Sequence, residues 1–128
     1  MAKHQKQKQA YDGWVYILKI YTHLEIVYKI GTTNRTAKRR MLEIAGELYE
    51  VLGHIPKIEL IRQKQTKDNY KIEAAVLNKT QKHRCSLGMC EWPGESELRK
   101  MNEQELLQVY DRCIAEGFAP TPKFEVSL

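Results

Sequence analysis

Four side chains of this 128-residue chain carry reactive groups that could meet in one site. Lys29 interrupts an apolar strand-like segment, and Glu73 is the only charge within residues 72–77. An amine or a carboxylate in apolar surroundings must contact water or a polar partner, or it must serve a function such as metal binding. Arg39 lies in a basic run, and arginine is the side chain best shaped to clamp a phosphate. Each residue also has a structural interpretation, including a hydrogen-bonded core position for Tyr16 and solvent-facing positions for the three charges.

The elements that would position these groups begin with two strands. Residues 13–20 and 26–30 are rich in β-branched and aromatic side chains, and a short polar turn separates them. This pattern predicts an antiparallel hairpin. Residues 58–61 predict a third strand.

Three segments with apolar residues at helical spacing predict helices over about 36–52, 68–83 and 102–117. Side chains that accept backbone hydrogen bonds favour the first turn of a helix, and glycine favours the residue after its end. The predicted capping residues are Asp68 and Asn102, and the predicted closing residues are Gly53 and Gly117.

The element order β-β-α-β-α, followed by a further helix, predicts an α+β fold. We expect a small three-stranded antiparallel sheet flanked by helices. The Lys/Gln-rich residues 1–10 predict a disordered basic arm, and residues 11–98 predict the main domain. Residues 99–128 predict a C-terminal helix and tail packed on that domain.

The net charge of +5 is unevenly distributed along the chain. Residues 1–40 carry +7, residues 41–90 carry +2 and residues 91–128 carry −4. The basic first part could attract a polyanion, whereas the acidic C-terminal helix is a poor candidate for a DNA surface. No apolar run reaches the ~20 residues that span a bilayer, and no signal-peptide pattern is present. With three cysteines, these features predict a cytoplasmic protein.

A second chemical signal comes from sulfur and imidazole groups late in the chain. His83, Cys85 and Cys90 lie close together in sequence, with Cys113 further on. Such ligands suit zinc, but their spacing is not one of the common zinc patterns. Unpaired thiols in and near a loop are the alternative interpretation.

The ordered set of motifs resembles the GIY-YIG nuclease superfamily over residues 13–97. Tyr16 matches the tyrosine of the family's first motif, and Gly31 closes the second motif. Arg39 lies eight residues after Gly31, at the usual spacing of the family's catalytic arginine. Glu73 matches the glutamate that binds a single metal ion from a later helix.

The resemblance implies roles for these residues in hydrolysis of a phosphodiester bond. Tyr16 would be the general base, or Lys29 would be the base while Tyr16 positions the water. Because a tyrosine ordinarily ionises near pH 10, the base role needs nearby cations such as Lys29 and Arg39. Arg39 would stabilise charge on phosphorus, and Glu73 would bind Mg²⁺ or Mn²⁺. The residues expected to contact the DNA backbone are Arg35, Lys38, Arg40 and Arg84.

The sequence departs from the family pattern at three places. Lys29 stands where the second tyrosine is usual, while Tyr28 lies one position earlier and is predicted to face the other side of the strand. Glu43 stands where a histidine often follows the arginine. The family's late polar residue has no clear match, although Glu95 and Glu97 lie in its neighbourhood.

The resemblance therefore predicts a metal-dependent endonuclease that acts on double-stranded DNA as a monomer or homodimer. A DNA-binding module without catalytic activity is the first alternative. A protein whose basic face binds an acidic protein is the second.

Overall fold

The computed structural model describes residues 12–87 and 92–116. The predicted basic arm, Cys90, Gly117 and the C-terminal tail lie outside the described residues. The strands are β1 (Gly13–Tyr21), β2 (Ile26–Thr33), β3 (Lys57–Thr66) and β4 (Leu98–Arg99). The α-helices are α1 (Ala37–Leu52), α2 (Asn69–Lys79) and α3 (Glu103–Glu116), and two 3-10 helices span Gln81–His83 and Pro93–Glu97.

The predicted hairpin of β1 and β2 is confirmed. Its turn is closed by Thr22, whose hydroxyl donates to the Glu25 carbonyl at 2.8 Å and accepts the Glu25 amide at 3.0 Å. The antiparallel register places Tyr16 opposite Gly31 and Leu18 opposite Lys29. Because side chains two residues apart share a face of a strand, this register brings Lys29 beside Tyr16.

The prediction of a three-stranded sheet is wrong, because the sheet has four antiparallel strands in the order β3-β1-β2-β4. The additional strand β4 pairs Leu98 with Lys29 and Arg99 with Tyr28. A two-residue strand is too short to show the alternation of apolar and polar residues that identifies longer strands. It forms because the edge of β2 offers free backbone groups to pair with.

Strand alternation divides the core into two layers, one on each face of the sheet. Tyr16, Leu18 and Ile20 pack with α1, whereas Val15 and Ile17 pack with α2 and α3. The α+β class is confirmed. None of the helices within residues 12–87 and 92–116 has the length and apolar content that a bilayer crossing requires.

The start and end of α1 follow the sequence closely. Thr36 accepts a hydrogen bond from the Arg39 amide through its side chain, and Gly53 closes the helix with a φ of 81°. In α3, the predicted capping side chain of Asn102 accepts a hydrogen bond from the Glu105 amide at 3.0 Å. These local signals depend only on neighbouring residues, which explains why they are readable from sequence.

The predicted start and end of α2 are only partly correct. Asp68 precedes the helix but forms no side-chain capping hydrogen bond. The helix ends at Lys79 instead of continuing to His83, and residues Gln81–His83 form a separate 3-10 turn. The Thr80 hydroxyl donates to the Val76 carbonyl and accepts a hydrogen bond from Arg99, so a tertiary contact stabilises this end of the helix.

Candidate functional site

The centre of the site is a buried pair formed by neighbouring strands. The Lys29 amine donates to the Tyr16 hydroxyl at 3.4 Å, and it lies 5.4 Å from the centre of the Tyr16 ring. Tyr16 has no exposed surface, and Lys29 is 3% exposed. The sequence predicts both residues as reactive groups, and the hairpin brings them into contact.

Gly31 leaves the space that this pair occupies. A Cβ atom at Gly31 would lie 2.5 Å from the Tyr16 hydroxyl and 2.7 Å from the Lys29 amine. Real Cβ contacts are not this short, so no larger residue fits here without moving the pair. The glycine of the second motif is therefore needed for close approach of side chains, not for an unusual backbone angle.

Glu97 is the acidic partner of Lys29, and their charged groups lie 2.8 Å apart. Glu97 ends the 3-10 helix Pro93–Glu97, and β4 follows directly, which fixes this segment against the edge of β2. Within the same 3-10 helix, a Cβ atom at Gly94 would lie 3.0 Å from the Lys29 side chain. The sequence places Glu97 only in the general neighbourhood of a functional residue, because its contact with Lys29 depends on β4.

Glu73 extends from α2 toward the same cluster, and its carboxyl group is a close neighbour of the Glu97 carboxyl group. Burial and the adjacent Glu97 carboxylate raise the pKa of Glu73 to about 7, although Lys29 opposes this shift. Two carboxyl groups in contact repel each other when both are ionised. Of the four predicted catalytic residues, three therefore lie close together here: Tyr16, Lys29 and Glu73.

The basic run at the start of α1 contributes Arg40 to this region, whereas Arg39 faces solvent. The Arg39 side chain is exposed and forms no hydrogen bond or ion pair with any residue in the described part of the chain. Burial opposes the charge of Arg40, but Glu47 and Glu43 outweigh that effect and raise its pKa, and nearby Tyr16 acts in the same direction. The sequence predicts Arg39 as the catalytic arginine. In the described structure, however, the Arg39 side chain forms no hydrogen bond or ion pair with the residues of the cluster.

The helical phase of α1 explains this arrangement. Ile44 and Leu48 face the core, and a residue four positions before Ile44 lies on nearly the same side of the helix. That residue is Arg40, while Arg39 is rotated by about 100° toward solvent. The apolar spacing of α1 is thus a signal in the sequence that favours Arg40 over Arg39.

A network of carboxylates holds Arg40 in place. Its guanidinium lies 2.9 Å from Glu47 and 3.2 Å from Glu43. Glu47 also accepts a hydrogen bond from the Trp92 indole at 2.9 Å, and Trp92 packs against Gly94. The network therefore connects α1 to the segment that carries Glu97.

The residues predicted to contact a DNA backbone occupy different environments. Arg35 forms an ion pair with Glu43, and Arg40 belongs to the network just described. Lys38 and Arg84 are exposed, and Arg84 forms an isolated backbone bridge with Arg99. No single surface that joins all four side chains follows from these contacts.

The alternative zinc site would draw on His83, Cys85, Cys90 and Cys113. Cys85 is a free thiol, and Cys90 lies outside the described residues. Among residues 12–87 and 92–116, no group of three or more His, Cys, Asp or Glu side chains is placed to hold a metal ion.

The pair of Glu73 and Glu97 is chemically suited to a hard divalent cation. Mg²⁺ is typically bound by one or two carboxylates together with water and substrate oxygens. Burial is the main cause of the raised pKa of Glu73, and the neighbouring Glu97 carboxylate adds to it. A divalent cation held by these residues would favour the ionised form of Glu73. The donor set present here fits such an ion.

Comparison with known proteins gives one family. No curated protein and no solved structure matches the chain significantly. A family model, the T5orf172 domain, matches residues 13–114, which include all four strands, α1, α2 and most of α3. The matched segment also contains Tyr16, Lys29, Glu73 and Glu97. The chain therefore belongs to the T5orf172 domain family.

Proposed function

We propose that this protein is a metal-dependent endonuclease that hydrolyses phosphodiester bonds of double-stranded DNA. The T5orf172 domain is phage-associated and related to nuclease folds of the GIY-YIG type, which suggests a DNA-related, nuclease-like role. The observation that carries the proposal is the meeting of Tyr16, Lys29, Glu97 and Glu73, which come from β1, β2, a 3-10 helix and α2.

The cationic and phenolic groups would act on the reacting phosphate and water. Lys29 and Arg40 would stabilise the negative charge that develops on phosphorus, because fixed cations in a water-poor site act strongly there. A base must take a proton from the attacking water. Tyr16 is our choice for this base, and the alternative assigns the base to Lys29 and the positioning of water to Tyr16.

The carboxyl groups would hold the metal. Glu73 is the proposed ligand for Mg²⁺ or Mn²⁺, and Glu97 is a second candidate ligand because it contacts Glu73. A bound ion would supply a Lewis acid that neutralises charge on the phosphodiester oxygens. It would also favour the ionised form of Glu73.

Substrate access requires one rearrangement. The Tyr16 and Lys29 side chains are buried, whereas the side chain of Glu97 is 28% exposed and occupies the anion position on Lys29. The Glu97 carboxylate now occupies an anion position on Lys29 that a phosphate would take. We infer that Glu97 leaves Lys29 when substrate and metal bind.

Cleavage of supercoiled plasmid tests the proposal. Wild-type protein should convert the plasmid to nicked or linear forms with Mg²⁺ or Mn²⁺, and EDTA should stop the reaction. Glu73→Gln keeps the size of the side chain but removes its charge, so we expect a loss of at least about 100-fold in rate with DNA binding nearly intact.

The matched control is Glu50→Gln, which makes the same change at an exposed position of α1. It should cleave at the wild-type rate. Wild-type cleavage by Glu73→Gln, or equal losses in both variants, would remove Glu73 from the proposed site.

A DNA-binding module without catalytic activity is the second candidate function. It is favoured by one observation, namely that Glu97 neutralises Lys29 while Tyr16 has no exposed surface. Under this alternative, wild-type protein would bind DNA with a strong dependence on salt but would cleave it with none of the divalent ions.

A further inference from the structure

A basic cavity lies away from the cluster around Lys29, between the C-terminal end of α2 and the outer side of α3. Its volume is about 300 Å³. Three cations line it: Lys79, Lys82 and Arg112. Thr80 and Glu105 also contribute to its walls, and Glu105 is the only carboxylate among the lining residues.

The three cations of this cavity are unpaired. None of them forms an ion pair or a side-chain hydrogen bond with a residue in the described parts of the chain. Several other cations have acidic partners, namely Lys19, Lys29, Arg35, Arg40, Lys57, Arg62 and Lys100. Exposed cations such as Arg39 and Lys64 have none in the described chain, so the distinguishing feature of the cavity is that three unpaired cations line one space. Like charges that converge without an anion repel each other, so an anionic ligand would be stabilised here.

A fourth positive charge lies directly behind the cavity wall. Arg99 is 1% exposed, and its guanidinium donates to the Thr80 hydroxyl at 2.9 Å. Its other acceptors are the carbonyl oxygens of Leu77, Ser96 and Leu98, which carry no formal charge. No carboxylate hydrogen-bonds to this buried guanidinium within the described chain.

Arg99 also alters the field at the end of α2. The last carbonyls of a helix carry partial negative charge, which disfavours anions. Here the Leu77 carbonyl accepts from Arg99, and the Val76 carbonyl accepts from the Thr80 hydroxyl. The helix end is therefore covered by donors, and an anion beside it meets mainly positive charge.

The acidic character of α3 is weaker in the fold than in the sequence. Glu103 pairs with Lys19, and Asp111 pairs with Arg62. Both of these acids are thus neutralised by the sheet. The expectation that α3 is a poor surface for DNA treats Glu103 and Asp111 as unpaired charges, so it overestimates the repulsion between this helix and DNA.

We propose that this cavity binds a backbone phosphate of the DNA substrate at a distance from the cleaved bond. The proposal rests on the proposed function, because the cavity would bind the same DNA strand that passes Glu73. Thr80 lies seven residues after Glu73 on nearly the same face of α2, about 10 Å along the helix axis. That distance corresponds to about three steps along a B-form duplex.

The test measures DNA affinity as a function of salt, in EDTA so that no cleavage occurs. Each phosphate contact contributes about 0.9 to the slope of log K against log salt. The double variant Lys82→Ala/Arg112→Ala removes the contact with this one phosphate, so it should lower that slope by about 1 and weaken binding. It should also raise KM for cleavage while kcat at saturating DNA stays unchanged.

The matched control is Lys64→Ala/Lys67→Ala, which removes two exposed charges that have no ion-pair partner in the described chain. Its slope should stay at the wild-type value. Glu105→Gln removes the carboxylate of the cavity, and it should bind DNA more tightly than the wild type does.

Two failures can be told apart. If wild-type protein cleaves DNA but the double variant keeps the wild-type slope, the cavity is not a phosphate site and the proposed function stands. If wild-type protein neither binds nor cleaves DNA, both proposals are wrong.

Discussion

Burial separates the reactive groups of this protein into an inner and an outer set. Tyr16 and Lys29 form the inner pair, which solvent does not reach. Glu73 is half-buried, and the side chains of Glu97 and Arg40 are each 28% exposed. Under the proposed function, an incoming substrate would meet the carboxylates and the guanidinium first, and it would reach the amine only after Glu97 moves.

We predict that the two adjacent arginines of α1, Arg39 and Arg40, contribute unequally to DNA cleavage. Arg40→Ala should lower the rate of DNA cleavage by about 100-fold or more, because one donor to a developing oxyanion contributes that much. Arg39→Ala removes the same charge one residue away and should cost less than about tenfold. Single-turnover cleavage rates at saturating DNA compare the two.

Arg40→Lys provides the control for this comparison. It keeps the charge but loses the planar fork, so an intermediate rate is expected. Thermal unfolding should show that all three variants are folded. A larger loss in Arg39→Ala than in Arg40→Ala would support the assignment made from motif spacing and contradict the one made from the geometry of α1.

Sequence identified the residue types of the site better than their exact positions. Tyr16, Lys29 and Glu73 each have a structural interpretation when taken alone, and it is their order and spacing in the GIY-YIG-like set of motifs that singles them out. Arg40 and Glu97 are less visible. The position of Arg40 in the site depends on the rotational phase of α1, and the position of Glu97 depends on the two-residue strand β4.

The ends of helices and strands are predictable from sequence where they depend on neighbouring residues. They are not predictable where they depend on residues far away in the chain. The closing glycine of α1 is a local signal, and Gly53 ends the helix where the sequence predicts it. The end of α2 is set by Arg99, which is 19 residues from Thr80, so the helix stops earlier than its own pattern indicates. The strand β4 likewise exists only through its pairing with β2.

The docking of α3 on the sheet gives a prediction about acid stability. Glu103 accepts hydrogen bonds from Lys19 and Tyr28, and these donors lower its pKa below the ordinary value for glutamate. A depressed pKa contributes stability above the ordinary pKa, and that contribution is lost as pH falls through the folded-state value. Glu103→Gln should therefore reduce the free energy of unfolding at pH 7.

Urea unfolding at several pH values measures this effect. The difference between Glu103→Gln and wild type should shrink as pH falls below about 4 and should disappear in stronger acid. Glu105→Gln lies in the same first turn of α3 without a side-chain partner in the described residues, so its effect should be smaller. A pH-independent difference for Glu103→Gln would show that packing, not charge, holds this contact.

For the whole molecule, charge along the chain and charge on the surface differ. The first forty residues carry +7, yet Lys19, Arg35 and Arg40 are paired with acids from later segments. The unpaired cations around the end of α2 come instead from the middle and the acidic last part of the chain. A linear count of charge could not predict that distribution, because folding decides which charges become neighbours.

The proposed function requires the cluster of Tyr16, Lys29, Glu97 and Glu73 to hold one divalent ion at a scissile phosphodiester. The most direct measurement is anomalous diffraction from crystals of the protein with Mn²⁺ and DNA. We expect a Mn²⁺ peak bound by the Glu73 carboxylate and next to a phosphate, and loss of that peak in Glu73→Gln. A Mn²⁺ and phosphate pair bound elsewhere on the protein, with Glu73 still held by Glu97, would contradict it.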